Sequence, residues 1–141
     1  MSKRFLIDTN VVLDLLLARE PFVADAVHIF TLAESKQIEL YLSTDAISTV
    51  FYIVSRNKGR AAARQAVLNT LDFVSLAALD EACVLDGLAL YMPDMEDALV
   101  AAVAHRVDAD AIITRNAKDF KASLVPAVSP REAIALVGAG G

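Results

Sequence analysis

Short apolar runs that alternate with longer segments of helical periodicity constrain this chain more than any other feature. The runs are 4–8 (RFLID), 38–43 (IELYLS), 73–76 (FVSL), 111–114 (AIIT) and 125–129 (VPAVS), all apolar or β-branched and suited to strands covered on both faces. Helical patterns fill the gaps: 11–18 and 22–35 parted by Pro21, 45–57 and 60–71 broken at Gly59, 80–91 and 94–107 separated by Pro93. A last helix is expected from Pro130 with Ser129 as N-cap, because proline at the first helical position has no N–H to lose. Strands that alternate with helices demand right-handed crossovers, which set the strands mostly parallel between helical layers. Ligands of such sheets sit at the carboxyl ends of the strands, near a switch in strand order.

At 141 residues and 56% hydrophobic, the chain has enough apolar material for one core. We expect a single domain over 1–137 and a flexible tail over 138–141 (GAGG). The start, MSKRFLID, imitates a secretory leader, but Asp8 and Asp14 interrupt its apolar run and no small-residue cleavage site follows, so the expected location is cytoplasmic. No apolar run approaches the roughly 20 residues that span a bilayer, so no membrane role is expected. A single cysteine, Cys83, has no partner for an internal disulfide and reads as a small buried hydrophobe. His28 and His105 lack companions at metal-ligand spacing. Net charge −5 argues against a protein that holds nucleic acid by bulk electrostatics, although Arg56, Lys58, Arg60 and Arg64 form one basic cluster and Arg115, Lys118 and Lys121 another. Either cluster reads first as a solvated face.

The acids carry the chemistry. Asp8 closes the first strand, where a carboxylate is costly unless it is paired, capping or metal-bound. Asp94 and Asp97 stand three apart in the first turn of a helix and so share a face; Asn116 and Asp119, again three apart, follow the strand that ends at Thr114. Carboxylates gathered from separate elements repel one another, and a hard divalent cation is the usual way to hold them ionised. Each also has a plainer reading: Asp94 as an N-cap, Asp97 as an acid favoured by the helix dipole, Asp119 as a cap of KDFKASL. Asn10 is the better expected cap for the first helix, and Asp14 is expected to face polar neighbours along it.

FLIDTNVVLDLLL at the start, DMEDALVAAVA late in the chain, DAIITRNAKDF after it, LSTDAISTVFYIVSR in the middle and VPAVSPREAIALV at the close together resemble the PIN-domain family, in particular its VapC-like toxins. The resemblance covers nearly the whole chain. It implies a three-layer α/β/α sandwich and a metal-dependent endoribonuclease, with carboxylates binding Mg²⁺ or Mn²⁺. Carried over residue by residue, it makes Asp8 and Asp97 the direct metal ligands and catalytic acids, with Asp94 beside them on the metal and Asp119 as a further catalytic acid, both reached through water. Thr9, Asn10 and Thr114 become hydrogen-bonding supports, while Asn116, which stands where many relatives have another acid, is read as a further hydrogen-bonding orienter; Arg115 and Lys118, from their place at the same strand end, are read as contacts to the phosphates of single-stranded or looped RNA. It also implies a small antitoxin partner and a homodimer. The chain departs from the family on the helix after the second strand, where the usual acid falls at Thr49; Asp45, four residues earlier, is the nearest carboxylate on that face and an equally good N-cap. Two other readings compete. One is a PIN-like RNA- or protein-binding module that has lost catalysis with the acid at Thr49. The other is an aspartyl-phosphate hydrolase of the haloacid-dehalogenase type, which needs an acid where this chain has Asn10.

Overall fold

The computed structural model describes residues 2–140. Its middle layer is a wholly parallel five-stranded sheet of β1 (Lys3–Ile7), β2 (Ile38–Ser43), β3 (Val74–Ala77), β4 (Ala111–Ile113) and β5 (Ala127–Val128), in the order β3-β2-β1-β4-β5. The chain builds outward from β1 to β3, then crosses back to place β4 on the other side of β1. The switch in strand order therefore lies between β1 and β4, and their carboxyl ends frame the position where an open sheet offers a ligand site.

Side-chain alternation along the strands separates two cores. Phe5 and Ile7 of β1, Ala111 and Ile113 of β4, and Ile38, Leu40 and Leu42 of β2 face one way, into a core shared with α1 (Thr9–Leu16), α2 (Val23–Glu34), α3 (Ala46–Lys58), α4 (Arg60–Thr70) and α7 (Pro130–Gly140). Leu6 and Ile112 face the other way, against α5 (Glu81–Ala89) and α6 (Met95–Arg106). Layers on both faces explain the near-continuous apolar strands: with no wet face, a strand has no reason to alternate. The three-layer α/β/α expectation holds.

Small residues let the second helical layer sit close. Ala98, Ala101, Ala102, Val103 and Ala104 of α6 are all buried, and Gly87 of α5 lies so near α6 that a Cβ there would meet the Ala98 carbonyl oxygen at 3.2 Å. Between α3 and α4, Gly59 holds φ +90, a conformation that side chains disfavour, and ends one helix while starting the next. The last helix carries the expected cap in reciprocal form: Glu132 N–H donates to Ser129 Oγ at 3.1 Å and Ser129 N–H to a Glu132 carboxylate oxygen at 2.9 Å.

The observed boundaries correct two expectations. First, α1 starts at Thr9, with Asp8 rather than Asn10 as its cap; the backbone is still extended at Asp8 (φ −72, ψ 147), and its carboxylate accepts the Thr9 N–H at 2.8 Å. Second, α7 runs through Gly140, so residues 138–140 of the expected tail continue the helix, as adding residues to an established helix costs far less than starting one. Residue 141 lies outside the described residues. No described helix is long and apolar enough to cross a membrane.

Candidate active site

Asp8 follows β1 at the switch point and is held from two sides. Its Oδ1 accepts the Thr9 N–H at 2.8 Å, and its Oδ2 accepts the hydroxyl of Thr114, the residue that follows β4, also at 2.8 Å. Thr114 is fully buried, and its Oγ in turn accepts the Asn116 N–H at 3.1 Å. Burial pushes the Asp8 carboxyl above its ordinary value; the Thr114 and Thr9 hydrogen bonds and the Arg115 charge pull the other way, and Asp94 adds to the rise. Thr9, through its backbone N–H, and Thr114, through its hydroxyl, are thus the two donors to Asp8.

The first turn of α6 brings the second group of acids. Asp94 is the N-cap, its Oδ1 accepting the Asp97 N–H at 3.0 Å, so the plainer reading of this residue is correct and half of its carboxylate is engaged. The Asp97 carboxyl is pushed up to about 6, first by desolvation and then by the charges of Asp94, Asp8, Asp119 and Glu96. The charges of Asp8, Asp94, Glu96 and Asp119 are thus near enough to act on the Asp97 carboxyl.

Asp8 and Asp97 meet at a cleft of about 230 Å³ lined also by Thr9, Asn10, Thr49 and Asn116, with Glu96 and Leu13 completing it, whereas Asp94 and Asp119 line a neighbouring cleft. Thr49 therefore does stand in the site, as a neutral residue. Asp45 does not line it: its carboxylate takes the hydroxyl of Ser43 instead, so the α3 side supplies no charge. Glu96 is the acid that sequence reasoning missed. It sits between Asp94 and Asp97 in the first helical turn, and three-residue spacing draws the eye past it. Asn10 is in the cleft but hydrogen-bonds neither carboxylate; its Oδ1 is buried with no partner among the described residues.

Arg115 departs from its expected role. Its Nε and Nη2 reach Asp14 at 2.7 and 3.2 Å, and its guanidinium lies 4.0 Å from the centre of the Phe22 ring. Asp14, expected to face polar neighbours on the helix surface, is 1% exposed and also lies 3.7 Å from Arg19. A carboxylate this buried requires a counter-ion, and Arg115 is committed to that task instead of lying free for phosphate. Lys118 remains exposed at the site, on the wall of a neighbouring cleft with Asp94, Asp97 and Asp119.

Whether a divalent cation suits this set can be judged from the donors. Among the described residues no three Asp, Glu, His or Cys side chains come together as a ready-made cage. Mg²⁺ does not require one, since it keeps several waters and takes one or two protein carboxylates. Asp8 and Asp97 supply those, the orphaned Asn10 Oδ1 is a hard oxygen donor without an occupation, and the mutual repulsion that lifts Asp97 is what a cation would relieve. The residues fit the group.

A parallel sheet between helical layers, with an acidic cleft at its switch point, defines an open-sheet α/β domain. The chain belongs to the PIN domain family, whose model matches residues 4–118. No curated protein matches it significantly by sequence. Solved structures with the same fold include VapBC2 of Rickettsia felis bound to a DNA fragment from its promoter (17% identity, TM-score 0.70, 89% of this chain and 98% of that one). A sarcin–ricin loop cleaving VapC toxin of Mycobacterium tuberculosis aligns at 16% identity and TM-score 0.68, over 86% and 96%. A toxin–antitoxin complex from Klebsiella pneumoniae aligns at 23% and 0.67, over 89% and 96%.

Proposed function

We propose that the protein is a metal-dependent endoribonuclease, hydrolysing phosphodiester bonds of single-stranded or looped RNA, and the toxin of a toxin–antitoxin pair. The observation that carries this reading is the gathering of Asp8, Asp97, Glu96 and the unpartnered Asn10 Oδ1 around one switch-point cleft in a PIN domain. Asp8 and Asp97, with Asn10, would hold Mg²⁺ or Mn²⁺. Such an ion, when bound, lowers the pKa of a coordinated water and offsets charge on the phosphate oxygens.

The chain's own residues do the rest. Thr114 fixes one Asp8 oxygen and leaves the direction of the carboxylate defined, while its buried hydroxyl is itself fixed by the Asn116 N–H. The Asp97 carboxyl, pushed up to about 6, would hold a cation in its ionised form, so cation binding would strengthen with pH. Asp94, Asp119 and Lys118 line the neighbouring cleft, where the two acids would accept hydrogen bonds from water and the lysine would offset phosphate charge. Single strands suit an edge cleft because their phosphates enter it without the bulk of a duplex.

The test incubates the purified protein with defined RNAs and Mg²⁺ or Mn²⁺, beside Asp8→Asn and Asp97→Asn. We expect cleavage to fall by at least about a hundredfold in both variants; equal cleavage in all three proteins would sink the assignment. Thr49 motivates one alternative, a PIN-like binding module without catalysis: if only Thr49→Glu cleaves, that reading takes its place. The toxin role draws its support from the toxin–antitoxin complexes that share the fold, and with it come an antitoxin partner and a homodimer. Co-expression with the product of an adjacent gene, followed by light scattering of the purified material, checks both.

A further inference from the structure

A second cleft, of about 390 Å³, opens beside the acidic one and shares Asp97 with it. Met92, Pro93 and Ala122 give it an apolar surface, and Lys118 and Lys121 give it positive charge. We propose that this cleft seats the nucleotide adjacent to the cleaved bond of a single-stranded RNA, its base against Met92 and Pro93 and its phosphate on the two lysines. The proposal rests on the ribonuclease reading above and adds a substrate subsite to it.

Four observations carry it. The two clefts are neighbours that share Asp97 in their walls, so a strand whose phosphate lies at Asp8 has its next nucleotide within reach of the second one. Its volume falls in the range of small-ligand pockets, roughly 300 to 1,000 Å³, which are mostly apolar with a few charged groups that fix orientation. The lysines are presented together: they lie three apart along the turn Ala117–Phe120 and its cap Lys121, and a 3₁₀ turn repeats every three residues, so both project to one side. Phe120 between them is buried and anchors the turn. Finally, neither lysine is held in an ion pair among the described residues, whereas Arg115 on the same stretch is fully engaged by Asp14. On a chain of net charge −5, two uncommitted cations beside an acidic cleft are a local answer to phosphate that bulk charge cannot give. Asp94, Asp97 and Asp119 also line the cleft, so a phosphate can sit only on the lysine side of it. Half-buried Met92 offers a polarisable thioether to a base face, which a duplex would keep stacked and out of reach.

The test measures binding of a fluorescently labelled single-stranded RNA by anisotropy in EDTA, where no cation supports cleavage, and steady-state cleavage with Mn²⁺. For Lys118→Ala/Lys121→Ala we expect Kd and KM to rise about tenfold and the salt slope of binding to fall by about 1.4, as for two lost phosphate contacts on a single strand. Lys118→Arg/Lys121→Arg should restore both values. An abasic site beside the cleaved bond should raise KM for the wild type and make Met92→Ser silent. Unchanged Kd, KM and salt slope in the alanine variant overturn the proposal while leaving the ribonuclease reading intact. Binding that depends on the lysines in a protein that cleaves nothing keeps the subsite and removes the ribonuclease reading. Loss of binding to an acidic peptide, with RNA binding unaffected, also overturns the proposal and makes the cleft a protein-docking site.

Discussion

The two walls of the acidic cleft are built on opposite principles. The β1–β4 wall is held by hydrogen bonds and a buried ion pair: Asp8 is fixed by Thr9 and Thr114, Thr114 by Asn116, and the loop that carries them by Arg115 against Asp14 and Phe22. The wall made by α6 and α3 has no such bracing. Asp97 is lifted to about 6 by burial and by neighbours of its own sign, Glu96 is exposed, and Thr49 is neutral. One half of the site is thus organised by its own hydrogen bonds, and the other stores repulsion that protonation of Asp97 or a bound cation would relieve.

The largest effect should come from breaking the braced wall. Arg115→Ala leaves the Asp14 carboxylate buried without its main partner, and we expect a loss of about 3–5 kcal/mol in urea denaturation. Asp14→Asn in the same background should recover part of that loss, since the uncompensated charge is then gone; no recovery would show that stacking on Phe22, not the ion pair, holds the wall. Next, Thr114→Val keeps the shape but deprives Asp8 of a donor and the Asn116 N–H of an acceptor. A cost of about 1–3 kcal/mol in denaturant titration is expected, with a pH–cleavage profile displaced to higher pH because the Asp8 carboxylate loses a hydrogen bond that favours its ionised form.

The unbraced wall should respond to pH. The Asp97 value is raised in the folded state, from 3.8 to about 6, so its protonated form is favoured by folding. Its contribution is most favourable below about pH 4 and is lost as pH rises toward and through about 6. In EDTA, Tm should therefore fall between pH 4 and 7, Asp97→Asn should flatten the fall, and Mn²⁺ should restore Tm at pH 7 because a ligand of the native state alone stabilises it. A flat Tm profile in the wild type would mean that the two walls do not differ as described. The smallest effect on stability is expected from Thr49→Glu, within about 0.5 kcal/mol without metal, as it adds a partly exposed side chain at the cleft. Its value is as a sharpener: a larger Mn²⁺-induced shift in Tm than the wild type shows would identify Thr49 as the position where the second wall falls short.

Elements were easier to read from the sequence than contacts. The strands lie within two residues of their expected limits because a parallel strand buried on both faces must be apolar throughout, and Pro21, Gly59, Pro93 and Pro130 mark helix ends by backbone chemistry that needs no tertiary context. Asp8 and Asp97 were equally legible, since a carboxylate that closes an apolar strand and an acid in a first helical turn each announce themselves locally. Asp14 was not. Its neighbours Val11, Val12 and Leu13 are buried around the whole helix, and only the docking of the β4 exit on α1 turns an apparent surface acid into the partner of a residue 101 positions away. Glu96 was missed for a related reason: spacing places a residue on a helix face, but not the cleft that the face meets.

The sequence by itself determined the alternation of strands and helices, the family and the acids at the strand and helix ends, because these follow from periodicity, capping and residue chemistry within a few neighbours. The tertiary structure alone decided which charges are spent on one another and which remain for a ligand. Ion pairs and desolvation depend on distances between elements far apart in the chain, so Arg115 went to Asp14, Asp45 to Ser43, and Lys118 and Lys121 were left uncommitted beside the acids.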